Sequence, residues 1–195
     1  MQLFKRLFEA MGAKTPMQKI YTPQVLTEAK QGLAMYPPKE FLGEQGVFAY
    51  RLIFMVTMER VPELVNAIRA RFPSVQESAL QEGEHRNAQG EAIHFAIRSE
   101  FNGATVEMLT NSSGLMQAID ALQLEPPPPW VAFPDADPEE LGSRQGASDY
   151  WWNVFWQPFW TVQRNPDRQL YIEKYDIPSE WNLYLQLAAC QVQSH

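Results

Sequence analysis

Residues 91–110, EAIHFAIRSEFNGATVEMLT, decide the fold of this chain, because two alternating runs flank an Asn102-Gly103 pair. Apolar residues recur at every second position on both sides of the pair, which is the spacing of half-buried strands. Asn-Gly favours a two-residue hairpin turn whose central residues have positive φ. The stretch therefore predicts two antiparallel strands joined by a tight turn.

A turn centred on Asn102 and Gly103 also predicts the register of the two strands. It sets Phe101 opposite Ala104, and the register places the apolar residues of both strands on one face. The opposite face then carries Arg98 across from Glu107, a favourable pair of opposite charges. Because pattern, turn and pairing agree, this hairpin is the best-determined element of the chain.

The flanking sequence predicts an α+β fold. Residues 47–58 are apolar on both faces, as in a central strand covered on both sides, and residues 62–72 have helical spacing. A further strand is expected over residues 75–82, and a helix capped by Ser112 or Ser113 follows the hairpin. The order strand, helix, three-stranded meander and helix predicts an antiparallel sheet covered by helices, and not a doubly wound nucleotide-binding fold.

Composition divides the chain into four parts that together form one domain. Residues 1–46 are interpreted as an N-terminal helical extension and residues 47–124 as the α+β core. Residues 125–148 form a proline-rich acidic connector, which four consecutive prolines make stiff and extended. Residues 149–195 form an aromatic-rich C-terminal subdomain that we expect to pack on the core.

The sequence of the C-terminal subdomain predicts a helix, then a hairpin and then a second helix. The first helix is expected from Asp149 to about Gln157, because Pro158 opposes its continuation. Residues 159–163 and 169–175 are then interpreted as two strands joined by a turn rich in turn-forming residues. An amphipathic helix is expected to begin near Ser179.

The composition of the whole chain indicates a cytoplasmic globular protein. The single cysteine among 195 residues cannot form an internal disulfide, which fits a reducing compartment. No apolar run approaches the roughly 20 residues of a membrane span, and lysine and arginine interrupt the first apolar residues where a signal peptide would be uninterrupted.

The net charge of −7 is unevenly distributed. Residues 1–74 contain ten Lys+Arg and six Asp+Glu, whereas residues 75–195 contain six and seventeen. Nucleic-acid binding depends on cationic contacts to phosphate, so this acidic chain is not expected to bind nucleic acid. A basic protein fits the charge better as a partner, although acidity alone also keeps a protein soluble.

The motifs of common enzymes are absent from the sequence. It has no glycine-rich phosphate loop, no nucleophile elbow, no H-E-x-x-H and no C-x-x-C. His94 lies on a predicted strand, but a metal site needs about three ligands, and no third ligand is evident near His94 and His85. Cys190 is interpreted as a small core residue. We therefore expect no catalytic residues, no cofactor and no metal.

Seven of the eleven residues from 150 to 160 are aromatic, including four of the six tryptophans. Such a run either fills a core, forms a partner-binding surface or lines a small-molecule pocket. Charged residues next to this run fit the two interpretations in which it binds a partner or a small molecule. The candidate partner- or ligand-binding residues are Trp151, Trp152, Trp156, Trp160, Asp149, Arg164 and Arg168.

Residues 1–11 have the spacing of a short amphipathic helix. Such a helix can lie on a membrane surface. Its shortness and small positive charge favour docking onto the protein's own surface, or onto a second copy in a homodimer.

The leading functional hypothesis is a non-catalytic cytoplasmic protein-interaction module of the inhibitor, adaptor or immunity type. It would use the acidic surface and the aromatic cluster. The alternatives are a small-molecule-binding protein or enzyme with a tryptophan-lined pocket, and a peripheral membrane protein attached through residues 1–11.

Overall fold

A computed structural model describes residues 16–26, 31–78, 80–138, 146–182 and 185. The chain forms two compact units, Met1–Pro126 and Pro127–His195. The amphipathic helix predicted for residues 1–11 lies outside the described residues, so it stays a prediction. Among the helices of the described part, none has the length and apolar character needed to span a bilayer.

The first unit is built on a five-stranded antiparallel sheet of order β1-β2-β5-β4-β3. This arrangement confirms the predicted α+β class and the antiparallel sheet covered by helices. The strands are β1 (Lys39–Phe41), β2 (Tyr50–Val56), β3 (Gln81–Arg86), β4 (Ala92–Glu100) and β5 (Gly103–Thr110).

The two longer helices cover one face of this sheet, and a short helix packs against the other. The short helix α1 (Met17–Ile20) precedes the sheet, while α2 (Val61–Arg71) and α3 (Ser113–Ala121) supply apolar side chains to the main core. The predicted cap of α3 is confirmed, because the Ser112 hydroxyl accepts a hydrogen bond from the Leu115 N–H. Buried residues of the core include Leu52, Phe54, Phe95, Val106, Leu64, Ile68, Leu115 and Ile119.

The hairpin forms, but its predicted register is wrong, because the turn lies one position earlier in the chain than expected. Phe101 and Asn102, with φ of 52° and 53°, are the central residues, and Gly103 pairs with Glu100. The same residues still share each face, and Arg98 reaches Glu107 diagonally at 3.8 Å.

The far end of the hairpin explains this register. The Ala92 N–H donates to Asn111 Oδ1 at 2.7 Å, and the Thr110 hydroxyl donates to the Ala92 carbonyl at 2.9 Å. Both bonds are buried, so a shift would leave several polar groups unsatisfied, at a cost of about 1–3 kcal/mol each. These bonds therefore outweigh the local preference of Asn-Gly.

Two strand predictions are corrected. The strand expected over residues 75–82 lies at Gln81–Arg86, where it forms one edge of the sheet. An edge strand needs only one covered face, so its other positions can carry charged side chains. The sequence of this strand therefore resembles that of a loop. The predicted helical extension of residues 1–46 also contributes the other edge strand, β1, which three residues make too short to show a periodicity.

The described secondary structure of the second unit is helical. It comprises α4 (Pro129–Ala132), α5 (Ala147–Trp151), a π-helix (Trp152–Trp156), α6 (Gln157–Val162) and α7 (Asn165–Lys174). Residues 179–182 and 185 are also helical, as predicted for the last helix.

The hairpin predicted within residues 159–175 is wrong, because both of its strands are helices. Pro166 lies in the first turn of α7, where a missing N–H costs nothing, so the turn-like sequence begins a helix. Pro158 is tolerated because the π-helix precedes it: the Gln157 N–H bonds to the Trp152 carbonyl, which widens the backbone there.

Candidate functional site

The four tryptophans of the predicted site lie in the interior. Trp156 is 0% exposed, and Trp151, Trp152 and Trp160 are also buried. With Phe155, Phe159 and Tyr171 they form what we call the aromatic core of the second unit. These rings therefore pack inside the unit, and even Trp152 and Trp160 keep only 9% and 7% of their surface exposed.

The π-helix explains how so many rings pack together. In a π-helix the backbone bonds join residues five apart, so Trp151 and Trp156 lie on the same face. Their rings stack with centroids 5.8 Å apart, and Trp156 stacks on Trp160 at 5.1 Å. Trp156 is therefore the middle of a three-ring stack.

The three charged residues of the predicted site are not joined by any contact seen among the described residues. Arg168 is structural, since its guanidinium donates to the Trp160 carbonyl and lies 5.2 Å from the Trp160 ring. Arg164 is 85% exposed and pairs with Asp167 in the next turn. Asp149 is exposed and accepts a hydrogen bond from Asn153.

A pocket of about 440 Å³ opens elsewhere on the second unit. Trp130 of α4 and Trp181 of the last helix form one side, with ring centroids 5.9 Å apart and planes inclined by 52°. The Trp130 indole N–H donates to the Tyr175 carbonyl at 3.2 Å, which fixes the ring. The remaining lining residues are Pro134, Asp135, Ala136, Asp137, Pro138, Pro178 and Glu180. We call this site the tryptophan–carboxylate pocket.

The pocket is electronegative. Of the nine lining residues that the structure describes, three are acidic and none is basic. The exposed Asp135 and Glu180 make no ion pair with any residue in the described part of the chain. Three prolines restrict the backbone of the wall. Indole faces and carboxylates both attract cations.

Sequence analysis did not identify this pocket. Trp181 lies within the amphipathic helix expected from Ser179, and it is buried, while Trp130 lies in the connector, outside every predicted helix and strand. The available signal was a single tryptophan, Trp130, between a run of prolines and the acidic segment FPDADPEE at residues 133–140. That signal is weak, because nothing local brings Trp181 to Trp130.

A second polar site lies in the first unit, around the fully buried His94 of β4. The His94 Nδ1 is 2.6 Å from the Tyr21 hydroxyl, which also donates to the Leu109 carbonyl at 2.8 Å. On the other side, His94 Nε2 is 3.3 Å from a carboxylate oxygen of Glu84. Burial lowers the pKa of His94, an effect that Glu84 opposes, and burial raises the pKa of Tyr21.

Within the described residues, no three His, Cys, Asp or Glu side chains are grouped as metal ligands. Cys190 and His195 lie outside the described residues.

Comparison of this chain with protein-family models, curated proteins and solved structures gives no match. Function is therefore inferred from the chemistry of the residues themselves.

Proposed function

We propose that this protein is a non-catalytic cytoplasmic protein-interaction module, of the inhibitor, adaptor or immunity type, that binds a basic segment of another protein. The binding site is the tryptophan–carboxylate pocket. The observation that carries the proposal is the combination of two tryptophan rings and three carboxylates, with no basic residue among the nine described residues that line the pocket.

Arginine is the side chain that this pocket fits best. Its planar guanidinium stacks on indole rings and donates in a fork to carboxylate oxygens. Trp130 supplies a partly exposed ring, against which the buried Trp181 packs. Asp135 and Glu180 supply carboxylates without a competing ion pair among the described residues. A lysine ammonium would gain the charge attraction but not the stacking.

The charge of the second unit supports the same partner. Residues 127–195 contain four Lys+Arg and nine Asp+Glu, which gives −5 of the total −7. An acidic field of this kind steers a basic partner toward its surface. The single cysteine supports a reducing, cytoplasmic location.

The test is a tryptophan-fluorescence titration of the full chain with a hexapeptide of alternating arginine and glycine. A counterpart with glutamine in place of arginine serves as the control peptide. We expect saturable, salt-sensitive binding of the arginine peptide alone. If free arginine amide binds as tightly as the peptide, the alternative of a small-molecule-binding protein is favoured.

The first prediction concerns the pocket carboxylates. The double variant Asp135→Asn/Glu180→Gln should weaken peptide binding about tenfold, since two exposed ion pairs contribute roughly 1.4 kcal/mol together. Both side chains are exposed, so the fold should be unchanged by circular dichroism.

The matched control removes the same charge elsewhere in the second unit. Asp149→Asn/Glu173→Gln changes two exposed carboxylates outside the pocket and should alter affinity less than twofold. Equal weakening by both double variants would show that only net charge matters, and the pocket assignment would then be wrong.

A further inference from the structure

The contacts of His94 and Tyr21 present a proton-counting problem. The Tyr21 hydroxyl has one proton but two acceptors within reach, His94 Nδ1 at 2.6 Å and the Leu109 carbonyl at 2.8 Å. The direction of the Tyr21 bond therefore depends on whether Nδ1 carries a proton.

Each protonation state of His94 gives a different pattern. With a neutral ring protonated at Nε2, the Tyr21 hydroxyl donates to Nδ1, and the Nε2–H faces the Glu84 carboxylate at 3.3 Å. With an imidazolium, Nδ1–H donates to Tyr21, whose hydroxyl then donates to Leu109. The imidazolium satisfies more polar groups, but it places a positive charge in a site with no exposed surface.

Tyr21 belongs to a segment that lies over this histidine. Residues 16–21 contain α1, and their described polar bonds to the rest of the unit include the Phe48 N–H to the Tyr21 carbonyl at 3.0 Å. Leu26, further along, is buried in the main core and marks the end of the segment. The rest of the attachment is apolar. The small cluster there consists of Ile20, Tyr21, Leu42, Val47, Ala49, Ala92 and Leu109, with Met17 packed against it.

The charged and titratable groups around His94 come from three elements, because the register of β5 also places Glu107 on the same face, opposite Ala96. Glu84 and Arg86 lie on β3 and are 3.5 Å apart, and Tyr21 lies on the docked segment. Glu84 favours the imidazolium, while burial and Arg86 disfavour it. The connection between β1 and β2 contributes only apolar side chains to this cluster.

We propose that His94 and Tyr21 form a pH-sensitive latch, in which proton uptake by His94 releases residues 16–21 from the sheet. When Tyr21 leaves the sheet, water reaches His94. Hydration stabilises the imidazolium, which no water reaches in the docked state. By thermodynamic linkage, a proton that binds the released state more tightly shifts the equilibrium toward release.

The sign and the pH window follow from the direction of the shift. Burial lowers the pKa of His94 in the docked state below its ordinary value of 6.5. The docked state is therefore favoured above pH 6.5 and loses stability as pH falls from 6.5 to the docked pKa, below which the loss levels off. Each unit between the two pKa values multiplies the release constant by about ten.

The test is amide hydrogen exchange of the full chain between pH 7.5 and 5, corrected for the intrinsic rate. The reporters are the Tyr21 N–H, bonded to the Met17 carbonyl, and the Phe48 N–H, bonded to Tyr21. We expect their protection to fall on acidification, by about tenfold for each pH unit that separates the two pKa values, while that of β4 and β5 is retained. An equal fall across the sheet would indicate general unfolding and would overturn the latch.

Two variants complete the test. His94→Gln should abolish the pH dependence at both reporters, whereas His85→Gln should preserve it. His85 is a fair control because burial also lowers its pKa, yet it lies on the other face of β3 and bonds to Ser74. Should His94→Gln fail to fold, Glu84→Gln decides: losing the carboxylate that favours charge must deepen the loss of protection and extend it to lower pH. An unchanged profile in Glu84→Gln, or a lost one in His85→Gln, contradicts the proposal.

Discussion

At the residue scale, a buried ion pair joins two distant parts of the first unit. Lys39 Nζ lies 2.6 Å from Asp120 Oδ1, and the two side chains are only 4% and 15% exposed. Lys39 also donates to the Ala34 and Pro37 carbonyls, while the Ala34 N–H donates to Asp120. The pair thus fastens the segment before β1 to helix α3.

Removing one member of this pair should destabilise the protein strongly. Asp120→Ala leaves the Lys39 ammonium buried without its counter-ion, and we expect a loss of about 3 kcal/mol in the free energy of unfolding. Urea denaturation at pH 7 measures it. The control is Glu63→Gln, which breaks the exposed pair with Arg60 and should cost less than about 1 kcal/mol. Similar losses in both variants would contradict this view of the Lys39–Asp120 pair.

The aromatic core is stable despite unsatisfied donors. Among the described residues, no acceptor bonds the buried indole N–H of Trp156 or Trp160. An unpaired buried donor costs about 1–3 kcal/mol. Each large aromatic ring buries roughly 150–250 Å², which at about 25 cal/mol per Å² offsets that cost. Packing therefore decides the position of these rings, and polar contacts do not.

At the element scale, helix α3 begins at a serine with two roles. The Ser112 hydroxyl accepts from the Leu115 N–H and donates to a Glu91 carboxylate oxygen at 2.8 Å. The residue is fully buried, so water cannot replace either bond. The cap therefore fixes both the start of α3 and its position beside β4.

Ser112→Ala should consequently lower stability by about 1–2 kcal/mol, somewhat more than loss of an exposed cap. The neighbouring Ser113→Ala is the natural comparison, since Ser113 lies inside the helix and no cap bond involves its side chain. Its effect should stay within about 0.5 kcal/mol. Thermal unfolding followed by circular dichroism measures both, and equal effects would refute the capping role.

At the scale of the whole molecule, most of the net negative charge lies in the same unit as the proposed binding site. The second unit contains 69 of the 195 residues but five of the seven net negative charges, and it also contains the tryptophan–carboxylate pocket. A basic partner would therefore be attracted toward the unit that we propose to bind it. Such steering acts on the association rate more than on the lifetime of the complex.

The salt dependence of binding should reflect this steering. Between 50 and 300 mM NaCl, we expect the association rate constant of the arginine peptide to fall about tenfold, with the dissociation rate changing less. Stopped-flow tryptophan fluorescence separates the two rates. A salt effect confined to dissociation would argue against long-range attraction by the second unit.

The sequence by itself determined the elements whose signals are local. A run that is apolar on both faces defined β2, alternation defined the β4–β5 hairpin, helical spacing defined α2, and Ser112 marked the start of α3. These features depend on neighbours within a few residues, so periodicity and capping chemistry are sufficient to find them. The same local rules misassigned residues 159–175, because turn-forming residues also begin helices.

Only the tertiary structure decided which aromatic residues are available to bind. The run from 150 to 160 became a core because its rings stack on one another, and an isolated sequence cannot distinguish a stacked ring from an exposed one. The pocket required Trp130 and Trp181, 51 positions apart, to meet beside Asp135 and Glu180. The hairpin register likewise depended on buried bonds at Ala92, distant from the turn. Each of these outcomes is set by long-range packing and the burial of polar groups, on which local sequence patterns carry no information.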